Sequence, residues 1–138
     1  MARGLATTIA VIALLAALPG CAGAVRDKEV QDTVKTYLDA LAEGDGEKAC
    51  DQLTDTAKLD ALEALRERLP ELDASSCEDG LSQFAENIGE GEKDALRDPG
   101  EIDVRISGAS ATAKPENGAR EAELNKAGDK WLIWGGLF

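Results

Sequence analysis

The chain has no histidine, and only one methionine, one tyrosine, two phenylalanines and two tryptophans among 138 residues. Each scarcity excludes something. Histidine is the usual general acid–base residue and the commonest metal ligand near neutral pH, so the common catalytic and zinc-binding constellations have no starting point here. No Gly-rich phosphate loop, Gly-x-Ser-x-Gly elbow or His-Glu-x-x-His helix occurs. With aromatics at 4%, the core must be built from aliphatic residues and alanine. Positive charge is scarce too: 15 Lys and Arg face 27 Asp and Glu, a net charge of −12. Such a chain repels phosphate backbones, so nucleic acid is not an expected partner.

What is present begins with an address. Arg3 precedes an apolar run from Leu5 to Leu18, interrupted only by Thr7 and Thr8, which is the n-region and h-region of a signal peptide. At 14 residues the run falls short of the roughly 20 that a helix needs to cross a bilayer. Leu18-Pro19-Gly20-Cys21 closes it and resembles the bacterial lipobox. That resemblance implies removal of residues 1–20, lipidation of Cys21, and a protein held on the extracytoplasmic face of the cell membrane. Cleavage takes away Arg3 and no acid, leaving a net charge of −13. The alternative is an ordinary secretory signal with Cys21 left as a thiol.

If Cys21 carries lipid, Cys50 and Cys77 remain as an even pair in an oxidising compartment. A disulfide is the natural reading, and two unpaired thiols are the alternative. A metal site is the weaker reading, because the two lie 27 apart and no histidine joins them. No cofactor is implied. The acidity is uneven: residues 27–100 hold 21 acids and 8 bases, residues 101–138 hold 6 and 5. The negative side chains read as solvated helix faces, although they would also attract a basic partner.

Ala22 to Arg26 forms a linker that spans at most about 17 Å if extended. One domain fills residues 27–138. From Asp27 as N-cap, Val30, Val34, Tyr37, Leu38 and Leu41 share one helix face, which Gly44-Asp45-Gly46 ends. Ala49, Cys50, Leu53 and Ala57 form a second helical stretch that continues or restarts near Thr54 through Leu59, Leu62, Leu65 and Leu69. Ser75 and Glu78 make a capping box for a helix carrying Cys77, Leu81, Phe84, Ala85 and Ile88. Residues 89–100 read as a loop with one short helical turn between Glu92 and Arg97. Then the period changes to two. Ile102, Val104 and Ile106 alternate with charge, Ala109 to Ala113 returns, Pro115 to Gly118 interrupts, Ala122 and Leu124 mark a third strand, and Trp131 to Trp134 a fourth, apolar on both faces. Helices followed by an antiparallel meander argue an α+β fold, with helices packed on one face of a curved sheet of about four strands.

Three stretches together resemble nuclear transport factor 2-like domains of small lipoproteins and secreted proteins from high-GC Gram-positive bacteria: Val34 to Asp45 running into Ala49 to Thr54, then Ser76-Cys77-Glu78, then the closing Gly128 to Ile133. The resemblance covers nearly all of residues 27–134. It implies a cone of helices closed against a bent sheet, often with an apolar cavity. Some members are isomerase- or cyclase-type enzymes and many are non-catalytic modules, so fold alone does not decide between them. The scytalone-dehydratase-like site relies on histidine, which is missing. The ketosteroid-isomerase-like site needs a cavity carboxylate with a tyrosine and a protonated acid, and Tyr37 is the sole tyrosine.

Candidate site residues follow. Tyr37, Leu41, Phe84, Ile88, Trp131 and Ile133 are the expected cavity lining, with plain core packing as the competing reading. Trp134 and Phe138 either cover the sheet's second face or form an exposed apolar patch. The acid clusters Glu43-Asp45-Glu47 and Glu90-Glu92-Asp94 match no calcium loop, and no catalytic residue stands out. The expectation is a membrane-anchored, non-catalytic module binding an unknown protein or a small apolar ligand, with an isomerase- or cyclase-type enzyme as the alternative.

Overall fold

The structure is a computed structural model that describes residues 20–137, and side chains from residue 22 onward. The signal sequence, the Cys21 side chain and Phe138 lie outside the described residues. Five helices precede four strands: α1 Gly20–Glu43, α2 Gly46–Cys50, α3 Asp55–Arg68, α4 Cys77–Asn87, α5 Glu90–Arg97, then β1 Ile102–Ser107, β2 Ser110–Pro115, β3 Ala122–Ala127 and β4 Lys130–Gly135. The strands form one antiparallel sheet in the order β1-β2-β3-β4.

The first helix does not begin at Asp27. It runs back to Gly20: Gly23 is the one poor helix former between Ala22 and Arg26, no proline interrupts, and Arg26 donates to the carbonyl of Gly108 in the β1–β2 turn. The expected linker is thus helical and rises only about 1.5 Å per residue. At its other end the helix stops at Gly44, whose φ of +76° suits glycine. The amides of Gly44 and Asp45 return to the carbonyls of Leu41 and Ala40, satisfying groups that the helix end leaves open.

Short polar caps start the next helices. Asp45 accepts from the Lys48 amide, Thr54 from Ala57, and Ser76 from Asp79. The capping box of α4 is one residue later than Ser75–Glu78 would have it. Ser76 caps, and Asp79 reaches back to the Ser75 amide. The short turn expected between Glu92 and Arg97 is part of a two-turn helix, α5, whose Glu92 carboxylate accepts from the Gly89 amide. Leu59 does not join the buried face of α3, being 70% exposed, whereas Ala57, Ala61, Leu62 and Leu65 are buried.

In the sheet, Ile102 pairs with Pro115, Val104 with Ala113 and Ile106 with Ala111. Pro115 therefore ends β2 rather than lying beyond it. The inner row continues through Ala122, Leu124, Trp131 and Ile133, all buried. Helix α1 lies across this face, in contact with β1, β2 and β4. Three alanines on it let the helix backbone approach closely. Beyond β4 the sheet edge is covered by the link between α2 and α3: Leu53 bridges Ile133, the Ile133 amide donates to Gln52, and the Thr54 amide donates to Ile133. β4 is not apolar-buried on both sides, since Leu132 is half-buried and Trp134 exposed. Helix α2 is fixed to α4 by a Cys50–Cys77 disulfide, with Cα atoms 6.2 Å apart.

Candidate ligand cavity

The helices leave a cavity of about 170 Å³ where the end of the sheet meets them. Tyr37, Leu38 and Leu41 of α1 form one wall, Ala61, Ala64, Leu65 and Arg68 of α3 a second, and Leu81 with Phe84 of α4 a third. Leu96 of α5, Ala119 and Arg120 of the β2–β3 loop, and Leu137 complete it. Helical spacing brings these residues together: Tyr37 and Leu41 are four apart, as are Ala61 and Leu65, so each pair stacks on one face.

Of the six residues expected to line a cavity, Tyr37, Leu41 and Phe84 do so. Ile88, Trp131 and Ile133 do not. Ile88 caps the C-terminus of α4 with extended backbone, which turns it off that helix's face. Trp131 and Ile133 are buried beneath α1 and the Leu53 segment, away from this space, and Trp131 borders a polar groove instead. The lining residues not expected are Leu38, Leu65 and Leu81, which read as plain helix-face residues, together with Ala61, Ala64, Arg68, Leu96, Ala119, Arg120 and Leu137. Leu96 sits on α5, a two-turn helix where a single short turn is expected from the sequence. The two arginines lie at element ends, where periodicity says little about direction.

Polar chemistry at the cavity is sparse. Among the described residues no charged side chain is buried, and Tyr37 and Trp131 carry the notable buried polar groups. No carboxylate belongs to the described lining, and both charged side chains in it are exposed arginines. Tyr37 is 3% exposed, and burial pushes its phenol above the ordinary range. Below pH of about 10 the phenol is protonated in folded and unfolded chain alike, and its stabilising contribution is fully present. As the pH rises beyond that, the unfolded chain releases the proton first and stability falls. Because Tyr37 is the only tyrosine, a near-ultraviolet titration should detect no tyrosinate until the protein itself unfolds in alkali. A phenolate signal from native protein near pH 10 would contradict the burial.

Other surface features are less enclosed. A polar groove is lined by Glu29, Asp32, Thr33, Asp51, Gln52 and the β3–β4 turn. At its side Lys126 lies 5.5 Å above the Trp131 ring and 3.5 Å from Glu29, stretching along an apolar surface to reach an acid. The buried Trp131 Nε1 has no acceptor among the described residues. No cluster of three or more metal-ligating side chains occurs among the described residues, the two acid clusters included. On the outer sheet face Trp134 is 44% exposed beside Arg105, Thr112 and Glu123. Compared with known proteins, the chain matches no family model, no curated protein and no solved structure.

Proposed function

We propose that the chain is a lipid-anchored, extracytoplasmic module that binds a small apolar molecule without transforming it, on a fold of the nuclear transport factor 2-like cone type. The observation that carries this reading is the cavity. Protein interiors pack as densely as organic crystals, with few voids larger than a water. An apolar recess of about 170 Å³ with one tyrosine and two arginines on its wall has the make-up of a binding site. The helices-then-meander order and the Cys50–Cys77 link are what a cone-type secreted domain would contain. Attachment rests on Leu18-Pro19-Gly20-Cys21 following a short apolar run. Among the described residues no helix is long and apolar enough to cross a membrane.

An isomerase or cyclase would need a base at the substrate, and the described lining offers no carboxylate for it. A protein-contact role draws on a different observation, the exposed Trp134 on the outer sheet face. Trp134→Ala should then remove cross-links to a partner in intact cells while leaving the cavity's ligand binding unchanged.

Toluene, a neutral ring of the cavity's size, serves as a probe for the main reading. Saturation-transfer NMR should detect its binding to wild-type chain, and Ala64→Phe, which fills the cavity from α3, should abolish it with little change in far-ultraviolet circular dichroism. Undiminished binding by Ala64→Phe, or none by wild type, would overturn the reading. Fatty-acid labelling of cells should mark wild type and not Cys21→Ala. An unlabelled wild type would remove the proposed anchor.

A further inference from the structure

Resting on the cavity-binding reading, we infer that the ligand is a small monoanionic carboxylic acid with an apolar body about the size of benzoate or hexanoate. Its hydrocarbon lies among Tyr37, Leu65, Leu81 and Phe84, and its carboxylate points toward Arg68 and Arg120.

Volume sets the size. At about 170 Å³ the space resembles the apolar cavity of roughly 150 Å³ that admits benzene, and it is well below the roughly 300–1,000 Å³ of sites for larger ligands. One ring or one short acyl chain fills it. A polycyclic molecule or a whole phospholipid does not fit.

Charge sets the head group. The chain carries 27 acids against 15 bases, and the three helices that supply most of the wall come from its most acidic stretch. Even so, no acid faces the cavity among the described lining residues, and the two charges that do are arginines. They approach from separate elements, Arg68 from the last turn of α3 and Arg120 from the β2–β3 loop. Nearby Arg66 is engaged by the Ala74 carbonyl. The Arg68 side chain has no ion pair or hydrogen bond among the described residues, in a molecule with a large excess of carboxylates to offer. A guanidinium presents five N–H donors in a planar fork that matches a carboxylate, so Arg120 can take part alongside its other contacts. Both arginines are exposed, which keeps the anionic head at the hydrated mouth and spares it the cost of full burial.

The test is calorimetric titration of the full chain at low ionic strength with benzoate and with benzyl alcohol, its neutral counterpart of similar size. Benzoate should bind at least about tenfold more tightly, and that advantage should shrink as salt is added. Arg68→Gln should reduce benzoate affinity about tenfold and leave benzyl alcohol unchanged. Arg120→Gln should behave alike, and Arg68, on an exposed helix end, keeps the test valid if Arg120→Gln fails to fold. Equal affinity for acid and alcohol, or an equal loss of both in Arg68→Gln, would overturn the anion preference while the cavity reading stands. If neither compound binds, the cavity reading falls as well. Inorganic phosphate displacing benzoate as tightly as benzoate itself binds would reveal a simple anion site and would also overturn the inference.

Discussion

Replacing both Cys50 and Cys77 by alanine is expected to lower stability by about 3–4 kcal/mol and the melting temperature by roughly 12–25 °C. The estimate comes from loop closure: the bond joins residues 27 apart in sequence, and cutting it returns that loop's freedom to the unfolded chain. Total stability of a domain this size is about 5–15 kcal/mol, so the loss is a large fraction of it. The sulfurs are also nearly inaccessible, Cys50 at 1% and Cys77 at 6% exposure. Reductant should therefore act only on molecules that have opened locally, and reduction of native protein should be slow and accelerate with denaturant. Melting curves with and without prior reduction in denaturant check the magnitude. Curves that coincide within about 2 °C would mean that the cross-link adds nothing to the packing of α2 on α4.

The consequence for the cavity follows from where α4 lies. That helix supplies Leu81 and Phe84 to the wall, and its first residue is Cys77. The disulfide pins the N-terminal turn of α4 to α2, which in turn packs against α1, the helix that supplies Tyr37 and Leu41. One of the three main walls, α4, is thus covalently tied to α2, and the packing of α2 on α1 links it to a second. Apolar packing alone would hold them less rigidly, since the described wall contains few bulky side chains beyond Tyr37, Phe84 and the leucines.

Much of this arrangement could be read from local pattern. Val30, Val34, Tyr37, Leu38 and Leu41 are buried because they share a helical face, and Ile102, Val104 and Ile106 point inward because strand side chains alternate. Gly108 and Gly128 occupy the two tight turns with positive φ, as turn chemistry requires. The cavity was only half legible, for a physical reason. Periodicity reveals which side chains are buried but not which buried side chains face a gap. Trp131 and Ile133 are as apolar as Phe84, yet they are buried against α1 and Leu53, while the space between α1, α3 and α4 stays open. Only the second half of α5 was legible, because its buried content is slight: no residue of it is fully buried, and the glycines at 89 and 91 argued for a loop.

Gly46 is the position where the fold depends most on something local pattern conceals. Beside Gly44 it reads as one of two glycines ending a helix, but only Gly44 has a positive φ. Gly46 opens α2 with backbone angles that any residue can adopt, so an alanine there should by propensity gain about 0.5–1 kcal/mol. The surroundings reverse the sign. A Cβ at Gly46 would overlap the carbonyl oxygen of Glu78 and stand 2.8 Å from its carbon and 2.5 Å from Ser82 Oγ. The Gly46 amide also donates to that Ser82 hydroxyl at 3.1 Å. Ser82 can rotate away, but the Glu78 backbone belongs to the first turn of α4, next to Cys77, and the disulfide prevents α2 and α4 from simply separating. Gly46→Ala is therefore expected to destabilise by about 2–3 kcal/mol net, at the upper end of overpacking costs. Gly91→Ala in α5, where an added Cβ meets nothing within 4 Å, should instead stabilise by about 0.5–1 kcal/mol. Urea unfolding of the two variants should move the midpoint in opposite directions with unchanged slope. Equal shifts for both would mean that α2 and α4 do not approach closely enough for the missing side chain at Gly46 to matter.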